Sequence, residues 1–392
     1  MLFSLLRNAW SLTFTSALAG FFVTILTVRL FGPVAFADYV IDLAKLSLLV
    51  LASEAVPSPF SIFEQQRSQE FKDSLPVYYL FAASTGLLLV WLMNLLGLFS
   101  SFTNWIYIYS FCMVFQRYFD CRFQAEGRTK EFYFLPLITN IVRLLSLLFI
   151  TLVFRQSSPS SIIWSSLTIG AFVSITTFSI RNIRDVRIID FSKWNAALLY
   201  LWQLRSAYYS YYPNIILKRL RDTAMPLICD FFVQDRLQTG LYLLAYRGVD
   251  VVCGQLRVIE AFYSNFTLRK RLAIGRKKTM FSVALMGQFA AMASGLILAG
   301  QVNLDFATIK IVVFASFLIY PYTSEILSRS DAYADFRPQQ VTTSLLVYAI
   351  SVILLVSIAY VSTTLTAHIL IFTQLTSQTF AALSYRLSRL RY

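Results

Sequence analysis

Histidine is almost missing from this chain: 392 residues contain one, His368, near the outer end of the last apolar segment. Cysteine is nearly as sparse, and Cys112, Cys121, Cys229 and Cys253 stand singly in or beside apolar segments without paired spacing. These absences exclude a Cys/His metal cluster and a Cys–His nucleophile, and they leave the cysteines as small core residues. Glycine is scarce too, 13 residues, and no phosphate-cradling Gly loop, metal-ligand motif or nucleophile triad occurs. Neither ATP hydrolysis nor covalent catalysis is therefore expected, and no cofactor is implied. Long polar segments are also lacking: none exceeds about 20 residues, too short for an extramembrane domain. Acids are outnumbered 20 to 34 by Lys and Arg, giving a net charge of +14. The cations are dispersed through short loops between apolar runs, which excludes a nucleic-acid-binding module.

What the chain has in abundance is apolar length. It is 57% hydrophobic and 16% aromatic, with 14% charged residues and a mean hydropathy of +0.62. Runs of about 20 apolar residues predict an all-α polytopic membrane protein. Twelve helices are expected, over residues 10–29, 37–57, 75–97, 105–121, 133–154, 161–180, 203–232, 238–263, 279–300, 307–327, 341–361 and 364–385. Ala17-Leu18-Ala19 has the form of a signal-peptidase site, but the apolar run continues to Val28, so an uncleaved first helix is expected. With the N-terminus inside, the inner segments hold 21 Lys and Arg and the outer ones hold three, Arg29, Arg155 and Arg236. That imbalance places both termini in the cytoplasm and supports an even span number. The basic loop from Arg181 divides the chain into a six-helix bundle at 1–180, a cytoplasmic linker at 181–202 and a second six-helix bundle at 203–392.

Charges inside the spans are costly, at about 2.5 to 3.5 kcal/mol each near the bilayer centre, and so point to a function. In span 5, Asn140 and Arg143 share one face. In span 7, Arg205, Tyr208, Tyr209 and Tyr212 precede Pro213, and Lys218-Arg219-Leu220-Arg221-Asp222 follows. In span 8, Arg247, Asp250, Gly254 and Arg257 form a stripe, with Glu260 beyond it. Arg247 with Asp250, Arg257 with Glu260, and Lys45 with Asp42 are spaced to neutralise each other, whereas Arg117 and Asp120 lie near an inner helix end. Arg143, Lys218 and Arg221 have too few acids nearby along their own helices. A cavity lined by them, with Arg205 and Arg247, suits an anionic passenger. Tyr208, Tyr209, Tyr211 and Tyr212 fit either a sugar-stacking surface or an interfacial belt. Were an ion gradient to drive transport, the carboxylates to release the ion would be Asp222, Asp250 or Glu54.

Several short stretches then carry a resemblance. Arg7-Asn8, a long apolar helix, Arg29-Leu30-Phe31-Gly32-Pro33 and Phe36-Ala37-Asp38-Tyr39 open the chain. Phe123-Gln124-Ala125-Glu126-Gly127-Arg128 precedes Asn140 and Arg143, and Arg221-Asp222 precedes Thr239-Gly240-Leu241-Tyr242-Leu243-Leu244-Ala245-Tyr246-Arg247. In order and spacing, over about residues 1–265, these resemble the polysaccharide biosynthesis (O-antigen) flippases of the multidrug, oligosaccharidyl-lipid and polysaccharide exporter superfamily. The resemblance implies a MATE-like pair of bundles in a bacterial cytoplasmic (inner) membrane, and alternating access rather than catalysis. It implies a lipid-linked anionic oligosaccharide, carried on undecaprenyl pyrophosphate, as cargo, moved outward for O-antigen or other surface polysaccharide. Membrane lipids, a glycan polymerase and other polysaccharide-assembly proteins would be its partners. A membrane-embedded glycosyltransferase or ligase of lipid-linked sugars, and another small-molecule exporter of the superfamily, are the alternatives. The short, acid-poor outer loops weigh against the first, and the basic spans against a carrier of cationic drugs.

Overall fold

The computed structural model describes residues 2–53, 61–62, 64–65, 68–100, 103–154, 157–181, 195, 199–200, 202–205, 212–233, 235–263, 276–302, 304–334, 338–362 and 365–390. Every regular element among the described residues is helical. The chain divides into two units, Met1–Val23 with Asp42–Arg219, and Thr24–Ile41 with Leu220–Tyr392.

Helix α1, Leu2–Ser53, contains the first two spans. The loop expected between them shrinks to a single residue, Gly32, at φ 84° and ψ 169°. Only glycine reaches that backbone conformation without a Cβ penalty, and Pro33 then begins the next helix at the position where its missing N–H costs nothing. There follow α2 (Gln69–Leu95), α3 (Trp105–Ala125), α4 (Thr129–Val153) and α5 (Pro159–Arg181). The second half of the chain supplies α6 (Tyr212–Phe232), α7 (Arg236–Tyr263), α8 (Arg276–Ala299), α9 (Phe306–Ser316), α10 (Ile319–Ala334), α11 (Pro338–Ser362) and α12 (Ala367–Leu390). Span 10 is the α9–α10 pair, so the all-α polytopic fold with about twelve spans is present.

Seven stretches among the described residues are apolar and long enough to cross a bilayer by composition alone. Helices α3, α6, α7 and α12 are not among them, because they carry the charged and amide side chains. Of the expected span 203–232, helix is described at residues 202–205 and over α6, Tyr212–Phe232, which carries Arg221 and Asp222 along its length, while residues 206–211 lie outside the described residues.

Lipid-facing surfaces follow helical spacing. On α4, Leu145, Phe149 and Leu152 are each at least 60% exposed, and on α11, Ile350, Ile353, Leu354 and Ile358 form a similar stripe. Water would penalise such stripes, whereas acyl chains match them.

In the first unit, Phe119 and Phe123 of α3 pack on Phe178 of α5, with ring centroids 6.3 and 5.1 Å apart. Tyr109 and Trp164 repeat the contact at 5.8 Å. Since apolar side chains gain little by leaving lipid, polar and small residues set the fit between helices. Gln116 of α3 donates to Thr139 of α4 at 3.0 Å and to Ser174 of α5 at 3.2 Å. In the second unit Gly248 of α7 lies against Gly295 and Ala291 of α8, where an added Cβ would come within 2.7 Å of the Gly295 nitrogen. Gly287, Ala291 and Gly295 repeat every four residues, and an added Cβ at Gly287 would meet Ile319 of α10 and Val252 of α7 while one at Gly295 would meet Val312 of α9, so these small residues let neighbouring helices approach closely. All four cysteines are buried thiols, as their scattered positions predict.

Candidate functional site

Arg143 sits half-buried on α4, one turn from Asn140, whose amide donates to the Ser16 hydroxyl of α1 at 3.0 Å and to its carbonyl at 3.2 Å. On the α5 side Gly170 packs so closely that an added Cβ would stand 2.5 Å from the Thr139 carbonyl oxygen and 3.1 Å from the Arg143 Cβ. The root of the Arg143 side chain is thereby fixed by its neighbours. A guanidinium held at mid-span offers a planar donor fork suited to phosphate or carboxylate.

Helix α6 sorts its charges by face. Lys218 and Asp222, four residues apart, are exposed, Arg219 is half-buried and Arg221 is buried. Arg221 Nη1 bonds Glu325 Oε1 of α10, while its Nε and Nη2 donate to Asp222 Oδ1 at 3.3 and 3.1 Å. The second Glu325 oxygen accepts from the Gln378 amide of α12 at 3.1 Å. Glu325 is 2% exposed and Gln378 4%. Nearby, Tyr242 of α7 donates to Gln374 Oε1, one turn along α12, at 2.6 Å. Helices α6, α10 and α12 thus meet through a satisfied charge network, which is how ionic groups persist in an apolar interior.

Sequence reasoning leaves Arg221 short of an acid because it searches along one helix, and it passes over Glu325 altogether. The partner is 104 residues away. A signal was present: Glu325 is the lone acid in span 307–327, as the cations of span 7 are in excess over their own.

The remaining candidates have separate places. Arg247 pairs with Asp250 within α7, and both are about a third exposed. Arg205 lies outside the α6 span, exposed, with its guanidinium 4.4 Å from the Trp202 ring centroid. Glu54, Tyr208, Tyr209 and Tyr211, with the side chains of Arg257 and Glu260, lie outside the described residues, as do Arg155 and most of the 181–202 linker. Arg143 belongs to the first unit, whereas Arg221, Asp222, Arg247 and Asp250 belong to the second. Asp42 and Lys45 form a clasp around a loop: Asp42 accepts from the Ser100 N–H at 2.8 Å and Lys45 donates to the Leu98 carbonyl at 2.6 Å.

The Phe123–Arg128 motif forms the turn between α3 and α4. Gly127 adopts φ 67°, and Glu126 gathers Arg122 at 3.0 Å, Lys72 at 3.2 Å and Arg128 at 3.5 Å. Burial works against the Glu126 charge, but Arg122 and Lys72 outweigh it and hold the carboxyl below its ordinary pKa. Among the described residues no group of three or more His, Cys, Asp or Glu could hold a metal ion.

A helix broken by Gly32, two units and a polar network inside the second define a particular architecture. The fold resembles that of MurJ and MATE transporters. The structure described as lipid II flippase MurJ, inward closed, superposes with a TM-score of 0.63 at 14% identity, covering 97% of this chain and 87% of MurJ. A eukaryotic MATE transporter gives 0.63 at 10% identity, covering 99% and 94%. An inward-facing multidrug resistance MATE family transporter of the MOP superfamily gives 0.57 at 13%, covering 98% and 94%. Neither a protein-family model nor a curated protein sequence matches the chain. At these identities the likeness is one of fold.

Proposed function

We propose that this chain is a flippase that moves an undecaprenyl-pyrophosphate-linked oligosaccharide across the bacterial inner membrane for surface polysaccharide assembly. The observation that carries the reading is cationic: Arg143 is held at mid-span in α4, and α6 places Lys218 on an exposed face one turn from a buried Arg221. A pyrophosphate supplies charge opposite to theirs, and Arg binds it through paired hydrogen bonds. In this reading Arg143 and Lys218 hold the headgroup, Arg205 and Arg247 guide its entry, and Arg221 organises the second unit through Glu325. Asp222, Asp250 or Glu54 would carry the coupling ion. Likeness in fold to the MurJ lipid II flippase supports the same reading.

Export of small organic molecules is the second reading, favoured by an equal TM-score to a MATE transporter. The two separate in the native host. Deleting the gene is expected to strip surface glycan and leave its lipid-linked precursor on the inner leaflet. Unchanged glycan together with new sensitivity to organic cations would favour the exporter.

A further inference from the structure

At the N-terminal end of the first unit, a cavity of about 470 Å³ is lined by Ser11, Leu12, Lys130, Glu131, Phe134 and Arg181. It lies among the start of α1, the first turn of α4 and the last residue of α5, where transmembrane helices emerge into the headgroup region. Glu131 is already engaged, because Arg128 Nη2 and Nε reach its Oε1 at 3.1 and 3.2 Å. The lining therefore retains two positive charges, Lys130 and Arg181, both exposed, and Arg181 is steadied over the Phe134 ring at 5.9 Å. Beside the cavity, Trp10 and Phe14 of α1 and Ile180 of α5 are more than half exposed, an apolar surface suited to acyl chains, with Trp10 at interface level.

We infer that this cavity binds the phosphate headgroup of an anionic phospholipid, distinct from the mid-span cations assigned to cargo. Charge sign, hydroxyl, aromatic wall and adjoining lipid surface all match such a ligand. The volume lies within the range of about 300 to 1,000 Å³ usual for small-ligand pockets. Basic pockets between helices at a membrane surface take lipid headgroups by the same chemistry. Phosphate is the shared recognition element, so a free phosphate ion is the competing source.

The test uses the full chain in phosphatidylcholine nanodiscs with graded phosphatidylglycerol, counting retained phosphatidylglycerol by native mass spectrometry with and without inorganic phosphate. Wild type is expected to retain one phosphatidylglycerol that phosphate does not displace. The Lys130→Gln/Arg181→Gln variant should bind it about twenty-five-fold more weakly, each surface cation contributing about a factor of five. Lys310→Gln, which removes an exposed cation in the other unit, should change nothing. Equal retention by wild type and the double variant would overturn the assignment, and displacement by inorganic phosphate would reduce the site to one for a free anion. Photoactivatable phosphatidylglycerol on wild type gives a readout independent of variant folding. Adducts confined to the ends of α1, α4 and α5 support the site, and adducts spread evenly along the chain refute it.

Discussion

Glu325 shows what a single residue does in this interior. Buried at the crossing of α6, α10 and α12, it answers the Arg221 guanidinium and takes a hydrogen bond from Gln378. Removing its charge by Glu325→Gln leaves Arg221 with only the part-exposed Asp222 as an acidic partner, and breaking such buried pairs costs about 3 to 5 kcal/mol. The expected result is a clearly lower melting temperature in detergent. Replacing both partners, as in Arg221→Met/Glu325→Met, should recover most of the loss, because the desolvation cost disappears with the charges. If the single change is silent, the pair does not hold the unit. Arg221 was legible in the sequence as a cation inside a span, expected to face a cavity, but its partner was not. Helical spacing reports neighbours three or four residues away, and this contact joins residues 104 apart.

At the level of elements, the spans were readable because apolar run length is set by bilayer thickness, and the loops that the structure alters are those where backbone geometry decides. Gly32 replaces a loop with one residue at φ 84°. Gly32→Ala meets no neighbouring atom, so its cost is the backbone alone: φ 84° with ψ 169° lies in a region essentially reserved for glycine, where another residue costs about 1 to 3 kcal/mol, read as a drop in melting temperature. Gly248→Val is expected to do more harm, since even a Cβ would stand 2.7 Å from the Gly295 backbone. Overpacking of this kind costs about 1 to 3 kcal/mol, and a matched Gly254→Val, where a Cβ meets open space, is the control for helix propensity. The α3–α4 turn carries a pH dependence. Because the folded Glu126 pKa lies below its ordinary value of 4.5, its contribution is complete above that value and is lost as pH falls below it. Hydrogen-exchange protection in the turn, measured relative to the intrinsic exchange rate at each pH, should therefore fall on acidification of wild type, and Glu126→Gln should be weakly protected at both pH values.

For the whole molecule, the central claim is that mid-span cations bind an anionic lipid-linked glycan and carry it across. Composition revealed the class of protein, because it depends on a sum over many residues. The arrangement of individual charges depends on which helices α6 meets, and that is not local to the sequence. The most direct measurement reconstitutes the full chain in proteoliposomes with a fluorescent undecaprenyl-pyrophosphate oligosaccharide and follows its transfer between leaflets. Wild type, Arg143→Ala, Arg143→Lys and Lys218→Ala would be compared at equal abundance and equal melting temperature. The account predicts transfer by wild type, a loss of tenfold or more for each alanine variant, and partial activity for Arg143→Lys, which keeps the charge without the paired donors. Transfer by wild type at an unchanged rate in both alanine variants would contradict the cationic mechanism, and no transfer by wild type of its own host's lipid-linked glycan would contradict the flippase assignment itself.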